Sequence, residues 1–326
     1  MTLFEEVDIM NTPNAFKSGK LYSVKPSSGL ADLSISRSTT ATRVNSAGTI
    51  ETLAVDVPQL DYTDSSCPSF LIEPQRTNLA FPSATAVTQT VTTSAAAYTL
   101  SFYGTGSVTL SGTHSATLNG TGASNRVTLT FTPSSGSLTM TVAGTVTNIQ
   151  LEAGDFASSL IPTTSASVTR NLTSFLKTGL SSLIGQTEGV FFIEIKYFGV
   201  PSGQNFLSIG QYAGGNNAVN IGNWGGNFSA SLYFNNTTLF LNTNVATVDT
   251  NFHKIAVKYK SGDSAIWVDG VEVFTYTTTG TPSAAGFDTT SSKWGNLMWS
   301  IESVKIKQLQ VYDTILTDAE LLTLTT

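Results

Sequence analysis

The sequence predicts an all-β protein. The first sign is a set of short runs in which apolar residues alternate with serine or threonine, the period of two that belongs to a strand with one wet face. The second is the spacing of glycine- and proline-rich breaks, which separate those runs at intervals of roughly ten residues. The third is composition. Of 326 residues only 12% are charged, about half the usual share, while serine and threonine together number 89. Threonine's branched Cβ fits the pleat of a sheet, so strands account for much of the hydroxyl excess. With 40% hydrophobic residues the chain is too apolar for disorder. Its length points to two or three domains, because single cores seldom grow beyond roughly 250 residues.

Residues 1–70 read as short extended segments broken by turns. Pro13, Pro26, Pro58 and Pro68 punctuate them, with turn signals at residues 27–29 and 46–48. Alternation there is brief, at residues 33–35 and 53–57. So little continuous apolar material predicts a segment lying along a partner or along the next domain. Residues 80–150 hold one charge, Arg126, in 71 positions, with strands expected at 98–103, 107–110, 126–132 and 138–142. Such a series predicts a sandwich or jelly roll. A second all-β unit runs from residue 171 onward, with strands at 190–198, 205–210, 231–234, 252–259, 265–268, 271–274 and 304–312. Asp269-Gly270 between two of these predicts a tight hairpin, since both turn positions want positive φ. Thr317, with Glu320 three residues on, predicts a capped terminal helix.

Several functions are excluded at this level. The net charge is −6, and no run of lysine or arginine offers a nucleic acid its counterion-releasing stripe. No window approaches the roughly 20 apolar residues of a membrane span, so neither nucleic-acid binding nor membrane insertion is expected. The first six residues are acidic where a secretory leader would be positive and then apolar, which predicts synthesis in a cytoplasm. Cys67 rules out an intramolecular disulfide and reads as a small apolar filler. His114 and His253 stand in no recognisable catalytic spacing, and the nucleophile-elbow, zinc-protease and P-loop motifs are absent. A glycan hydrolase needs two carboxylates, which would have to lie outside residues 80–150. Asp263, Asp269 and Asp288 form no ligand run of the EF-hand kind. No enzyme, metal or cofactor is expected.

Sugar recognition uses aromatic platforms with amides and hydroxyls. The stretch that best combines these is residues 211–227, with Tyr212, Asn216, Asn217, Asn220, Trp224 and Asn227 as glycan-binding candidates. Trp267, Trp294 and Trp299 read as core. Arg43, Glu51, Glu73, Arg76 and Glu152 are charges in otherwise neutral surroundings. Arg43, Glu73, Arg76 and Glu152 are therefore the candidates for ion pairs at a junction between the N-terminal segment and the sandwich.

Residues 42–51, 56–62 and 67–79, from Thr42-Arg43-Val44-Asn45 to Arg76-Thr77-Asn78-Leu79, resemble a block shared by tail-fibre and other surface structural proteins of tailed bacteriophages. Residues 149–164 resemble the closing segment of the carbohydrate-binding-module-like jelly roll that follows such blocks. Residues 252–259, 266–273 and the terminal strand plus helix resemble a concanavalin A-like, or laminin G-like, sandwich. Leu21-Tyr22-Ser23-Val24-Lys25-Pro26 is similar to versions from phages of gut Bacteroidetes, including the crAss-like group. The resemblance implies an extended attachment and oligomerisation segment over 1–70, a jelly roll over 71–170 and a concanavalin A-like sandwich over 171–326. It implies a non-catalytic structural and adhesive protein of the virion surface, a head-fibre or tail-fibre component assembled in the host cytoplasm. A homo-oligomer is expected, a trimer before a dimer, docked to capsid or tail proteins and displaying its sandwiches to host-surface polysaccharide. The rivals are a virion-associated glycan hydrolase and a purely architectural decoration protein.

Overall fold

The computed structural model describes residues 2–199, 204–210, 217–234, 237–280, 287, 290–291 and 303–326, with the backbone alone at 204–206, 224, 240–243 and 290–291. The protein is all β, with a one-turn helix at Leu3–Glu6 and a terminal helix at Asp318–Thr325.

Among the described residues the largest sheet has 16 strands, antiparallel at each pairing. One half runs from Thr237–Thr247 through Asn227–Phe234, Ala218–Trp224 and Gln204–Gly210. Short strands at Thr290–Ser291, Ser174–Lys177, Leu33–Ser36 and Lys20–Lys25 carry it round a corner. The other half is Ile9–Lys17, Val304–Tyr312, Glu188–Tyr197, His253–Lys260, Ser264–Val268 and Val271–Tyr276. The two halves face each other across one core. Phe228 meets Tyr197 edge-on at 5.8 Å, and Phe234 meets Tyr259 at 6.4 Å.

Strand Glu188–Tyr197 explains its own sequence. Successive side chains point to opposite faces, so Phe191, Ile193 and Ile195 enter the shared core while Val190 and Phe192 face outward. The outward pair is covered by Leu321 and Leu324 of the terminal helix, so residues 190–193, buried on both faces, form a continuous apolar run. Each phenylalanine buried in this way contributes about 1.5–3 kcal/mol. The helix starts at the predicted cap, with the Thr317 N–H donating to Glu320 Oε2 at 2.7 Å and the Glu320 N–H to Thr317 Oγ1 at 3.3 Å. Asp269 and Gly270 sit at φ of 48° and 80°, the hairpin conformation read from their identity.

The N-terminal segment, expected to lie along a partner or the next domain, is built into the large sheet itself. Ile9 pairs with Val311, Leu21 with Leu33, and Phe70 with Ile306, so strands from residues 9–36 and 59–72 belong to the same sheet as residues 304–312. Ile9, Leu21, Leu33, Ile35, Leu60 and Phe70 are buried in its core. Their runs look too short to be globular because several of their partners lie far along the chain, Val311 for Ile9, Phe175 for Ile35 and Ile306 for Phe70. Pro13 lies in an irregular stretch of the Ile9–Lys17 strand, where its pairing with the next strand shifts register between Asn11 and Phe16.

A second, smaller sandwich is inserted between residues 78 and 168. One sheet orders Gly122–Phe131, Tyr98–Gly104 and Val146–Ala153, the other Ala116–Asn119, Ser107–Gly112, Gly136–Ala143 and Gln89–Thr93. Leu100, Phe102, Val108, Leu138, Met140 and Leu151 form its separate core. The insertion enters and leaves through two short antiparallel strands, Arg76–Asn78 and Val168–Arg170.

A buried ionic junction and its cleft

The segments that leave each sandwich meet in a hydrogen-bonded polar junction. Glu73 is fully buried just beyond the strand Ser69–Ile72. Arg170 Nη1 lies 3.0 Å from its Oε2, and Gln59 Nε2 donates to the same oxygen at 2.8 Å. Ser159 adds its backbone N–H at 2.7 Å and its hydroxyl at 2.6 Å. These donors occupy both carboxylate oxygens where water does not reach. Gln59 passes the network on, accepting at Oε1 from Arg37 Nη1 at 3.2 Å and from the Thr173 hydroxyl at 3.0 Å. The Arg37 guanidinium also donates to the carbonyls of Thr39, Ala54 and Val57. Burial, with the charge of Arg170 added, lowers its pKa to about 10, so it remains a cation at neutral pH.

Glu152, also fully buried, ends the closing strand of the inserted sandwich. It accepts from Gln150 Nε2 at 2.6 Å and from the Ser158 N–H and hydroxyl at 2.9 and 2.6 Å. Arg76 Nε is 3.8 Å away, and its guanidinium stands 5.1 Å over the Phe156 ring. Gly154 makes room for it. A Cβ there would come within 2.6 Å of Arg76 Nη2, and the backbone φ is +141°.

The four charges singled out in the sequence therefore all form ion pairs, in three places. Glu73 takes Arg170, Arg76 faces Glu152, and Arg43 bonds Glu51 at 2.6 Å across the hairpin of Ala41–Val44 and Ile50–Leu53. Sequence reasoning missed Arg170, Arg37, Gln59 and the two serines. Their sequence signal is faint: Arg170 is the first cation after a long nearly neutral stretch.

Beside this junction a cleft of about 260 Å³ opens between the two sandwiches. Thr42, Arg43 and Asp61 come from the N-terminal block, Tyr103 and Arg126 from the insertion, and Phe198 and Lys305 from the large sheet. Residues 157–160 form its floor, and Thr42 Oγ1 ties that floor down by donating to the Leu160 carbonyl at 2.6 Å. Lys305, 4% exposed, bonds Asp61 at 2.7 Å and Asp64 at 2.6 Å, while Lys196 bonds Asp64 at 2.6 Å. Burial works against ionisation of Asp61. The charge and hydrogen bond of Lys305, with the N–H groups of Thr63 and Val44, outweigh it and hold the carboxyl below its usual range. Arg126 differs from the other cations. It donates to the Ser158 carbonyl at 2.6 Å and to the Ser101 hydroxyl at 2.8 Å, its Nε has no partner, and no carboxylate of the described residues is within ion-pairing distance.

The glycan candidates of residues 211–227 fall elsewhere. Tyr212 and Asn216 lie outside the described residues, and Trp224 is described by its backbone alone. Asn217 is buried, and Asn220 spends both ends of its amide inside the sheet, on Ser208 at 2.5 Å and Ser231 at 2.9 Å. Asn227 is half-buried beside the Gly225-Gly226 turn. Trp267 is a core residue at 8% exposure, whereas Trp294 and Trp299 lie outside the described residues. His114 stacks on Phe131 at 4.6 Å, and His253 bridges Asp249 and Asp269 at 2.9 and 2.5 Å. Asp263 pairs with Lys258 at 2.7 Å, and Asp288 lies outside the described residues. Among the described residues no group of three or more His, Cys, Asp or Glu side chains is arranged to hold a metal ion. Cys67 is exposed rather than a core filler, because its loop projects from the sheet beyond Asp61.

No protein-family model matches the chain, and no curated protein sequence matches it. Solved structures give partial likenesses. The CBM40 module of the Ruminococcus gnavus IT-sialidase bound to alpha2,3 sialyllactose is 15% identical, covering 43% of this chain and 83% of that one at a TM-score of 0.37. The binding domain of botulinum neurotoxin DC, in complex with rat synaptotagmin II, is 13% identical over 47% of this chain and 40% of its own, with a TM-score of 0.38. A Trypanosoma rangeli sialidase complex is 10% identical over 46% of this chain and 25% of its own, also at 0.38. At scores this low, fold and chemistry rest on the chain's own residues.

Proposed function

We propose that the chain is a non-catalytic structural and adhesive protein of a bacteriophage particle, holding a glycan of the host surface in the cleft between its two sandwiches. The observation that carries this reading is the cleft itself. Aromatic Tyr103 and Phe198, the exposed threonines Thr63 and Thr128, and fixed cations line one concave site whose floor is hydrogen-bonded in place. Aromatic faces suit the C–H faces of sugars, and placed polar groups suit their hydroxyls. The site is small and its affinity would be low. Homo-oligomeric display, as a trimer or a dimer, would compensate, since avidity adds a factor of about 10² to 10⁴. Docking to capsid or tail neighbours falls to exposed apolar residues of the N-terminal segment, Phe4, Tyr22 and Leu30, rather than to its strands. A hydrolase would present two carboxylates to the sugar, whereas Asp61 is the one carboxylate in this lining and Lys305 already holds it.

The test is binding of the purified full chain to an array of bacterial capsule and surface glycans. Retention of a subset, lost in Tyr103→Ala, is the expected result. Silence across the array, or release of reducing ends from a retained glycan, would overturn the reading. Labelling of the chain in imaged particles tests the virion assignment separately.

A further inference from the structure

We infer that the cleft selects sugars bearing a carboxylate, of the uronic-acid class, and that Arg126 is the group that reads the charge. The inference rests on the glycan-binding reading above and deepens it. The charges around the cleft otherwise balance. Arg43 is matched by Glu51, and Lys305 with Lys196 is matched by Asp61 with Asp64. Arg126 is the surplus cation, in a chain whose net charge is −6. It is also the lone charge among residues 80–150, and the carboxylates that close its sandwich, Glu152 and Asp155, form no ion pair with it.

The guanidinium is already oriented. The Ser158 carbonyl and the Ser101 hydroxyl each take one of its N–H groups, which fixes its plane against the cleft floor. A guanidinium has five N–H donors in a planar fork, and here one N–H on each Nη, besides that of the buried Nε, has no acceptor among the described residues. A carboxylate is the anion whose two oxygens fit such a fork, and the pair is worth more than a neutral hydrogen bond. A simple anion would leave the rest of the site unused. Tyr103 and Phe198 supply apolar surface on the same cleft, and the exposed threonines Thr63 and Thr128 supply hydroxyls. A cavity of about 260 Å³ accommodates one sugar ring rather than a long chain, so a terminal or branch residue of an acidic polysaccharide is the fitting occupant.

Calorimetric titration of the full chain with four probes tests this: glucuronate, its neutral methyl ester, glucose and acetate. Glucuronate is expected to bind, with the ester and glucose at least about tenfold weaker, the loss of one charge-assisted hydrogen-bonded pair. Acetate is expected to show no heat over the same range. Arg126→Gln should bring glucuronate down to the level of its ester, and Arg126→Lys should restore part of the preference. Equal binding of acid and ester overturns the role of charge while leaving glycan binding in place. Acetate binding as tightly as glucuronate overturns the sugar class. No response to any sugar from a chain that is retained on the glycan array overturns the cleft as the acidic-sugar site, and silence in both overturns the two readings together. Should Arg126→Gln not fold, the probe series on the unaltered chain decides alone.

Discussion

Ser158 and Ser159 are neighbours that serve opposite carboxylates. Ser158 gives its N–H and its hydroxyl to Glu152, and Ser159 gives the same two groups to Glu73. Glu152 ends a strand of the inserted sandwich, and Glu73 follows a strand of the large one. Two adjacent residues therefore clasp both bodies, and Arg170 Nη1 contacts both hydroxyls, at 3.3 and 2.9 Å.

The first consequence is a steep dependence of stability on Glu73. Glu73→Ala leaves Arg170 buried without its counter-charge, which costs about 3–5 kcal/mol. Ser159→Ala removes the hydroxyl's bonds to Glu73 and Arg170 but keeps the N–H bond and the buried ion pair, and costs about 1.5–3 kcal/mol. Chemical denaturation should rank the two in that order. Equal midpoints would mean that the junction carries no such load.

Arg76→Ala should be milder. Its guanidinium is 3.8 Å from Glu152, which keeps three shorter hydrogen bonds, so the loss is about 1 kcal/mol, including the contact with Phe156. Gly154→Ala should match or exceed it, because the new Cβ displaces the same guanidinium and sits at an unfavourable φ. A neutral Gly154→Ala would count against that packing.

Lys305 and Lys196 both touch Asp64 but differ in exposure, at 4% and 23%. Lys305→Met strands the buried Asp61 and should cost about 3–5 kcal/mol, whereas Lys196→Met should cost at most about 1 kcal/mol. Asp61 ionises more readily folded than unfolded, so its contribution is full above the unfolded pKa and fades as pH falls through the folded value. Acid titration of the melting temperature should show that loss in the wild type and not in Asp61→Asn.

His253 gives the opposite pH sense. Burial disfavours its charged ring, but the bonds to Asp249 and Asp269 prevail and raise its pKa. Its contribution is full below the unfolded pKa of 6.5 and disappears as pH rises through the folded value. Asp249, held near 2 chiefly by its bond to His253, supports the clamp down to strongly acid pH. The melting difference between wild type and His253→Gln should therefore be widest well below pH 6.5 and narrow as pH rises past it. A difference independent of pH would assign His253 to its ring contact with Phe228, at 4.8 Å, instead.

Cys67 should react with a maleimide in the native protein at the rate of a free thiol, since it is exposed. Labelling that waits for denaturant would place the thiol under cover.

The sequence announces what is local. Alternation marks the strands at Tyr98–Gly104 and Gly136–Ala143, Asp269-Gly270 marks its hairpin, and Thr317 marks the last helix. It conceals what is distant. Nothing near Ile9 indicates that its partner is Val311, so residues whose apolar faces fill a core read as a segment laid along a partner or the next domain. The junction falls between these cases. Glu73 and Glu152 stand out as charges in a neutral setting, but the serines that satisfy them are indistinguishable from the many that line strands. Arg126 is conspicuous for the same reason as the glutamates. Its lack of a carboxylate shows only once the chain is folded.

Asn78 and Val168 are side by side, so the inserted sandwich begins and ends at the same place on its host. Such a graft is exchangeable: one tip can be traded for another without cutting any of the 16 strands beneath it. The serine clasp sets the terms of that trade. A replacement must bring its own pair of donors for Glu73, or the host keeps a buried charge with too few bonds. Lineages that shuffle this tip would then inherit residues 149–163 with it, as the plug that makes any new head fit the same socket.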